Sequence, residues 1–204
     1  MSQTRKISKS AVQLSSAEGS AERELTLQEA LKLSSYQCQL LTTSYGKAKA
    51  GLNNLLAENF RTLGRSNVAA KELFHKVSIM KGFQAPVRLP APPPTRCDIA
   101  GHAKALAALI DSAVKGLHGP SRPVREAAFQ VGTAHSSMRQ SGFQLQMWDQ
   151  LGDCLSETVS TQESVRKQRE AAKAWISLLS YLLDNMKHGY QCEGRRRKNT
   201  VTNF

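Results

Sequence analysis

The residue types that most often bind metals or act as nucleophiles are sparse in this sequence and widely spaced. The histidines are His75, His102, His118, His135 and His188, and no two of them stand four residues apart, as a metal-binding pair on one helix would. The cysteines are Cys38, Cys97, Cys154 and Cys192, with no Cys-x-x-Cys motif and no Cys–His pair at zinc-finger spacing. The sequence therefore predicts no metal site and no cofactor.

His135 is the histidine that stands among apolar residues at helical spacing, between Val131 and Met138. The interpretation favoured by that position is a half-buried polar side chain of a helix. A proton switch is the alternative, because the ordinary pKa of histidine lies near neutrality.

No catalytic motif is present. The sequence lacks the glycine-rich nucleotide-binding loops, the His-Glu-x-x-His zinc motif and the Gly-x-Ser-x-Gly nucleophile elbow. Ser-x-x-Lys occurs three times, at Ser44, Ser78 and Ser112, each time within a predicted helix. Three such matches indicate chance rather than a nucleophile, so we expect the protein not to be an enzyme.

The chain is strongly basic. It has 204 residues with 28 Lys and Arg against 16 Asp and Glu, a net charge of +12. The densest basic run is Arg195, Arg196, Arg197 and Lys198. Such a run suits a nuclear localisation signal or a phosphate-binding patch, or it is simply a solvated tail. No helix-turn-helix, RNA-recognition or zinc motif accompanies the charge, so specific nucleic-acid binding is not indicated.

The hydropathy of the sequence and the spacing of its cysteines indicate the cellular compartment in which the protein is expected to lie. The longest nearly unbroken apolar stretch, residues 174–183, is far shorter than the roughly 20 residues that a spanning helix needs. No apolar segment follows the first basic residues as it would in a secretory signal, and the cysteine spacing does not indicate disulfides. We expect no membrane span and an intracellular location, cytoplasmic or nuclear. A mitochondrial presequence is the alternative for residues 1–25.

Helical periodicity and breaker residues divide the chain into five segments. These are a disordered tail (1–25), a long helix with a short one (26–81), a proline-rich linker (82–97), three helices (98–188) and a basic disordered tail (189–204). Thr26 and Glu29 form a capping-box pattern that predicts the first helix start. Gly189 is predicted to end the last helix.

The two long helices carry apolar residues at a period near 3.5, which is typical of helices that pack along one another. The positions chosen as core or partner-binding residues are Leu41, Tyr45, Leu52 and Leu55 on the first, and Val131, Met138, Leu145 and Trp148 on the second. We call these eight residues the heptad positions. They can be covered within the chain or by another protein, and the sequence does not decide between the two.

The predicted fold is all-α: an elongated antiparallel, coiled-coil-like bundle of two long and about three shorter helices with disordered termini. The predicted function is a non-enzymatic adaptor or assembly subunit that binds protein partners through helix–helix contacts, in an oligomeric state that the sequence does not define. The alternative is a nuclear protein that binds nucleic acid nonspecifically through its basic residues.

Overall fold

The computed structural model describes residues 23–76 and 98–201, the side chains of residues 75–76 and 197–201 excepted. Most of the predicted N-terminal tail, the end of the predicted short helix and the whole proline-rich linker (82–97) lie outside the described residues. Nine α-helices make up most of the described part: α1 Leu27–Ala30, α2 Ser35–Ala48, α3 Leu52–Ser66, α4 Val68–Lys76, α5 Ile99–Lys115, α6 Arg122–His135, α7 Gln146–Thr161, α8 Glu163–Arg166 and α9 Arg169–Val201. Two 3₁₀ helices, Lys49–Gly51 and Ser136–Ser141, join α2 to α3 and follow α6.

The prediction of an all-α fold is confirmed. The described residues contain no β-strand, and their one isolated bridge joins Thr26 to Pro120. At that bridge the N–H groups of Leu27 and Gln28 donate to the carbonyls of Gly119 and Leu117, at 2.9 and 2.8 Å. The first residues that the structure describes are therefore attached to the turn between α5 and α6.

The first predicted long helix is divided into three helices. The capping box of Thr26 and Glu29 is present as predicted, but α1 ends after one turn because Lys32 adopts a left-handed φ of 55°. Ser34 then starts α2, with its hydroxyl accepting from the N–H of Gln37 and the Gln37 side chain accepting from the N–H of Ser34. The 3₁₀ turn before Leu52 separates α2 from α3.

The second predicted long helix is also interrupted. After His135 the backbone tightens into a 3₁₀ helix that ends at Gly142, which has a φ of 104° that favours glycine. A new helix, α7, starts at Gln146. The heptad spacing from Val131 to Trp148 therefore crosses a corner and does not lie along one helix face.

The last helix is longer than predicted. It continues past Gly189 to Val201 and includes the basic run Arg195–Lys198, which the sequence assigned to a disordered tail. Gly189 does not end this helix. A Cβ at that position would overlap the carbonyl of Phe129, so the missing side chain instead lets α6 approach α9.

The contact between α6 and α9 is the most extensive helix–helix contact in the described residues. Gly132 lies at its centre, where an added Cβ would overlap the backbone of Met186. Two glycines, one from each helix, thus bring the two backbones into direct contact. This contact holds the end of α6, where His135 lies, against α9.

The core lies between these helices and is almost entirely apolar. Its largest fully buried side chains are Trp175, Leu27, Leu41, Leu56, Ile110, Leu117, Leu155, Leu178, Leu182 and Val165, together with the small polar Ser136. Tyr45 joins α2 to α5 at the edge of the core by donating to the Asp111 carboxylate at 2.5 Å. No helix in the described part of the chain is long and apolar enough to cross a membrane.

We expect Gly132→Ala to lower the free energy of unfolding by about 3 kcal/mol, because the new Cβ must push the backbones of α6 and α9 apart. Gly46→Ala is the matched control, since Gly46 lies on the exposed face of α2 with nothing near its Cβ. The control substitution should raise stability by about 0.5–1 kcal/mol through its better helix propensity. Urea denaturation followed by circular dichroism measures the stability of both variants. Equal changes in the free energy of unfolding would contradict the close contact between α6 and α9.

Candidate functional site

Two histidines from different helices face each other within the protein. His102 lies in the first turn of α5 and His135 is the last residue of α6, and they are 7% and 5% exposed. Their ring centres are 6.5 Å apart, with the ring planes at 69°. They are far apart in the sequence, and the close packing of these helices brings them together.

Each of the two imidazoles is oriented by its own helix. The Nδ1 atom of His102 lies 3.1 Å from the carbonyl of Asp98, and that of His135 lies 2.8 Å from the carbonyl of Val131. A carbonyl can only accept, so Nδ1 carries the proton and Nε2 becomes the basic nitrogen of each ring. That tautomer is the one in which histidine binds a metal through Nε2.

The two rings belong to a cavity lined with apolar and aromatic side chains. The volume of this cavity is about 50 Å³. Its lining residues are Phe60, Leu63, Ala70, Leu73, Phe74, His102, His135, Met138, Phe143, Met147, Trp148 and Leu151. They come from α3 to α7 and from the corner between α6 and α7. A lining of mainly apolar groups with a few polar atoms is typical of a ligand site, but this cavity is much smaller than the roughly 300–1,000 Å³ of cofactor-sized sites.

Two aromatic rings pack against each histidine, three of the four edge-on and Phe143 tilted. Phe74 and Phe60 lie 5.2 and 5.7 Å from His102, and Trp148 and Phe143 lie 4.8 and 5.1 Å from His135, measured between ring centres. These rings exclude water and favour the neutral imidazole. Burial lowers the pKa of His135 to about 4 and also lowers that of His102.

The C-terminal helix fixes the corner that follows His135. Tyr190 of α9 donates its hydroxyl to the carbonyl of Phe143 at 2.8 Å. Arg139 lies over the Tyr190 ring, 3.9 Å from its centre, and donates to the Tyr190 carbonyl at 2.7 Å. Phe143, held in this way, packs against His135.

The heptad positions do not form one surface. Leu41, Tyr45, Leu52, Met138 and Trp148 are buried, while Leu55, Val131 and Leu145 are partly buried and pack against the core. Two of the eight, Met138 and Trp148, line the cavity. Of the basic run, Arg195 and Arg196 are exposed on α9, and Arg196 pairs with Glu193 at 2.9 Å.

The sequence did not predict the histidine pair, and His135 is buried rather than half-buried. The signal was present in two apolar stripes: His102 precedes Leu106 and Ile110 at four-residue intervals, and His135 follows Val131 at the same interval. Among the described residues there is no group of three or more His, Cys, Asp or Glu that could hold a metal ion. A metal held by these two histidines would therefore need further ligands from outside the described His, Cys, Asp and Glu side chains.

We expect the protein without ligand to lose stability between pH 6.5 and about 4. Unfolded His135 takes up a proton near its ordinary pKa of 6.5, whereas the folded state resists protonation down to about 4, so acid favours the unfolded state. The loss attributable to His135 is on the order of 3 kcal/mol. Urea denaturation at several pH values measures the free energy of unfolding, which should change less with pH for His135→Phe than for the unchanged chain.

The effect of carboxylate protonation on stability appears at lower pH than the effect of His135. Glu29 has its pKa lowered to about 2 by the Thr26 N–H and by Arg23, so its contribution is lost only as pH falls below its ordinary 4.5. Equal slopes for the two proteins between pH 4.5 and 6.5 would show that His135 is not buried in neutral form. His102 is expected to leave a smaller residual slope in the variant, because burial lowers its pKa too.

Comparison with known proteins finds similarity to globin-like proteins of nematodes. The chain is 26% identical over 168 residues to globin-like protein 9 of Caenorhabditis elegans, which covers 81% of this chain and 65% of that protein. The same protein of Caenorhabditis briggsae matches equally well, at 26% over 168 residues and 66% of its length. Globin-like protein 26 of C. elegans is 27% identical over 82 residues, 40% of this chain and 44% of its own.

The chain thus spans about two thirds of the length of the first two relatives. No family model matches the chain, and no solved structure matches it. The similarity nevertheless contradicts the prediction of a helical adaptor or assembly subunit, and equally the alternative of a nucleic-acid binder. For the adaptor, the structure gives the reason: the apolar heptad positions that suggested a partner surface turn inward, towards the core and the histidine cavity. The nucleic-acid alternative is overturned by the similarity itself.

Proposed function

We propose that the chain binds haem at the histidine cavity, where His102 and His135 would hold the iron. The observation that carries the proposal is the pair of buried imidazoles, 6.5 Å apart across an aromatic cavity, each with Nδ1 directed at its own helix. Globins hold haem iron through histidine, in a pocket between packed helices. The similarity to globin-like proteins supports the same use here.

The chemistry of the lining residues suits this group, but the cavity of about 50 Å³ is far smaller than a haem, so the helices around it would have to move apart to admit one. Imidazole nitrogen is a suitable ligand for iron. The ring centres lie 6.5 Å apart, so His102 and His135 would be the residues that hold the iron. Phe60, Phe74, Phe143 and Trp148 would supply the apolar surroundings of the group.

The protein's contribution is to keep both ligands neutral, oriented and dry. Bound haem supplies reversible one-electron redox chemistry and the capacity to bind small gaseous ligands. Burial lowers the pKa of His135, so its imidazole would be in the neutral form that iron requires at neutral and mildly acidic pH. The Val131 and Asp98 carbonyls hold the rings in the metal-binding tautomer, and such hydrogen bonds raise the basicity of the ligating nitrogen.

Other expectations from the sequence remain predictions. They are that the protein is not an enzyme, that it has a protein partner, and that it lies in the cytoplasm or nucleus. The proposal of a haem ligand pair replaces the prediction that the chain has no cofactor.

We expect the full-length protein to bind one haemin per chain with the absorption and electron-spin-resonance spectra of low-spin, six-coordinate iron. His135→Ala should weaken haemin binding by at least about tenfold, or about 1.4 kcal/mol. His102→Ala should change the iron to high-spin. His118→Ala is the control, because His118 is exposed on the turn between α5 and α6, and it should leave affinity and spectrum unchanged.

Two outcomes would refute the proposal. One is the absence of stoichiometric haemin binding by the unchanged chain. The other is a bound spectrum that neither His102→Ala nor His135→Ala alters, since the iron would then lie away from the histidine pair.

A further inference from the structure

The histidine cavity, at the size that the structure describes, suits a single ion better than a cofactor. Its volume of about 50 Å³ exceeds what one water molecule needs and is far below the roughly 300–1,000 Å³ of cofactor-sized sites. His102 and His135 border this space from two helices, with their ring centres 6.5 Å apart. The two imidazoles and the side chains around them therefore enclose a space of the size that one bound metal ion would occupy.

Two methionines add sulfur atoms to the wall of the same cavity. Met138 lies in the 3₁₀ corner after α6 and is 7% exposed, and Met147 is the second residue of α7 and is 3% exposed. Both border the cavity together with the histidines. Methionine is unbranched and has three rotatable bonds, so its sulfur can turn towards a bound ion without movement of the backbone. The described lining thus offers two imidazole nitrogens and two thioether sulfurs.

This set of donor atoms favours copper(I) over other metal ions. Thioether sulfur is a soft ligand that selects copper(I), and imidazole also binds copper. None of the described residues that line the cavity carries a carboxylate, hydroxyl or amide side chain, which are the groups that hard cations prefer. Zinc sites in proteins use thiolate, imidazole and carboxylate ligands, and of these the described lining contains imidazole alone.

The charge of the ion supports the same choice. The thioethers are neutral, and so are the imidazoles when Nδ1 donates to the carbonyl of its own helix and Nε2 carries no proton. An ion bound by these groups would keep its full charge in apolar surroundings. The Born cost of burying a charge rises with its square, so a monovalent ion costs about a quarter of a divalent ion of the same size. Copper(I) is monovalent, whereas zinc(II) and copper(II) are not.

We propose that the haem-free chain binds one copper(I) ion in this cavity, through Nε2 of His102 and His135 and the sulfur atoms of Met138 and Met147. Nε2 is the ligating atom of each ring because Nδ1 is engaged by the carbonyl of Asp98 or Val131. The inference does not rest on haem binding, since it concerns the cavity at its described volume. It assigns the two methionines a role that a haem site held by the histidines would not need.

The test titrates the full-length, haem-free protein with copper(I), kept reduced by ascorbate, in competition with the chelator bicinchoninate. Accessible thiols are first blocked with iodoacetamide, because cysteine also binds copper(I). Met138→Leu and Met147→Leu each remove a sulfur and nearly conserve the side-chain volume. Met186→Leu is the matched control, since Met186 is similarly buried but lies at the contact between α6 and α9, away from the cavity lining.

We expect the unchanged chain to bind one copper(I) ion. Met138→Leu and Met147→Leu should each weaken that binding by at least about tenfold, or about 1.4 kcal/mol, because each removes a soft ligand. Met186→Leu should leave the affinity within about twofold, since it removes no ligand. Zinc(II), titrated with a zinc-responsive dye, should bind at least about a hundredfold more weakly than copper(I).

Failure of the unchanged chain to bind copper(I) would overturn the inference, and so would binding that neither methionine variant weakens more than Met186→Leu does. An equal affinity for zinc(II) would also overturn it, because the thioethers would then not select the metal. Should a methionine variant not fold, X-ray absorption of the copper-loaded unchanged chain decides. Nitrogen and sulfur neighbours around the copper support the inference, and a copper ion without sulfur neighbours contradicts it.

Discussion

The direct backbone contact between α6 and α9 is the constraint on which the rest of the structure depends. It requires two glycines, Gly132 and Gly189, because a Cβ at either position would overlap the backbone of the opposite helix. The contact fixes the position of α6 along α9, the longest helix. Since His135 ends α6, the same contact determines where one of the two cavity imidazoles lies. The hydrogen bond from Tyr190 to the Phe143 carbonyl then secures the corner beyond it.

The fold class could be predicted from the sequence because it depends on local signals. Helical periodicity, the Thr26–Glu29 capping box and the Asp98 cap, which accepts from the N–H of Gly101, all follow from residues close together in the chain. The helix breaks were harder to predict. Lys32 adopts a left-handed backbone conformation although it is not glycine. Gly142 lies within a seven-residue apolar repeat that predicts a continuous helix, so the corner between α6 and α7 was not predicted. A regular apolar spacing therefore did not prove a continuous helix.

The candidate site could not be predicted from spacing, because its two histidines meet only through tertiary packing. His102 and His135 belong to different helices. The local sequence does not indicate that the first turn of α5 lies opposite the last turn of α6. The role of Gly132 and Gly189 was equally hidden, since a glycine near a helix end is more often a terminator than a point of contact. Of the eight heptad positions, Met138 and Trp148 lie at the cavity because α6, its corner and α7 bend around it.

The physical argument for function is where the protein buries polar groups that lower its stability. Around Trp175, Leu178 and Leu182 the core is apolar and its one indole N–H is satisfied, which is what stability alone requires. The half around the cavity instead buries a histidine whose pKa is lowered by burial and an indole N–H that has no acceptor among the described residues. Both features lower the stability of the free protein, and both lie in the same wall. Departures from the rules of a stable core concentrate where a protein binds something, because the bound group makes the interactions that the fold leaves open.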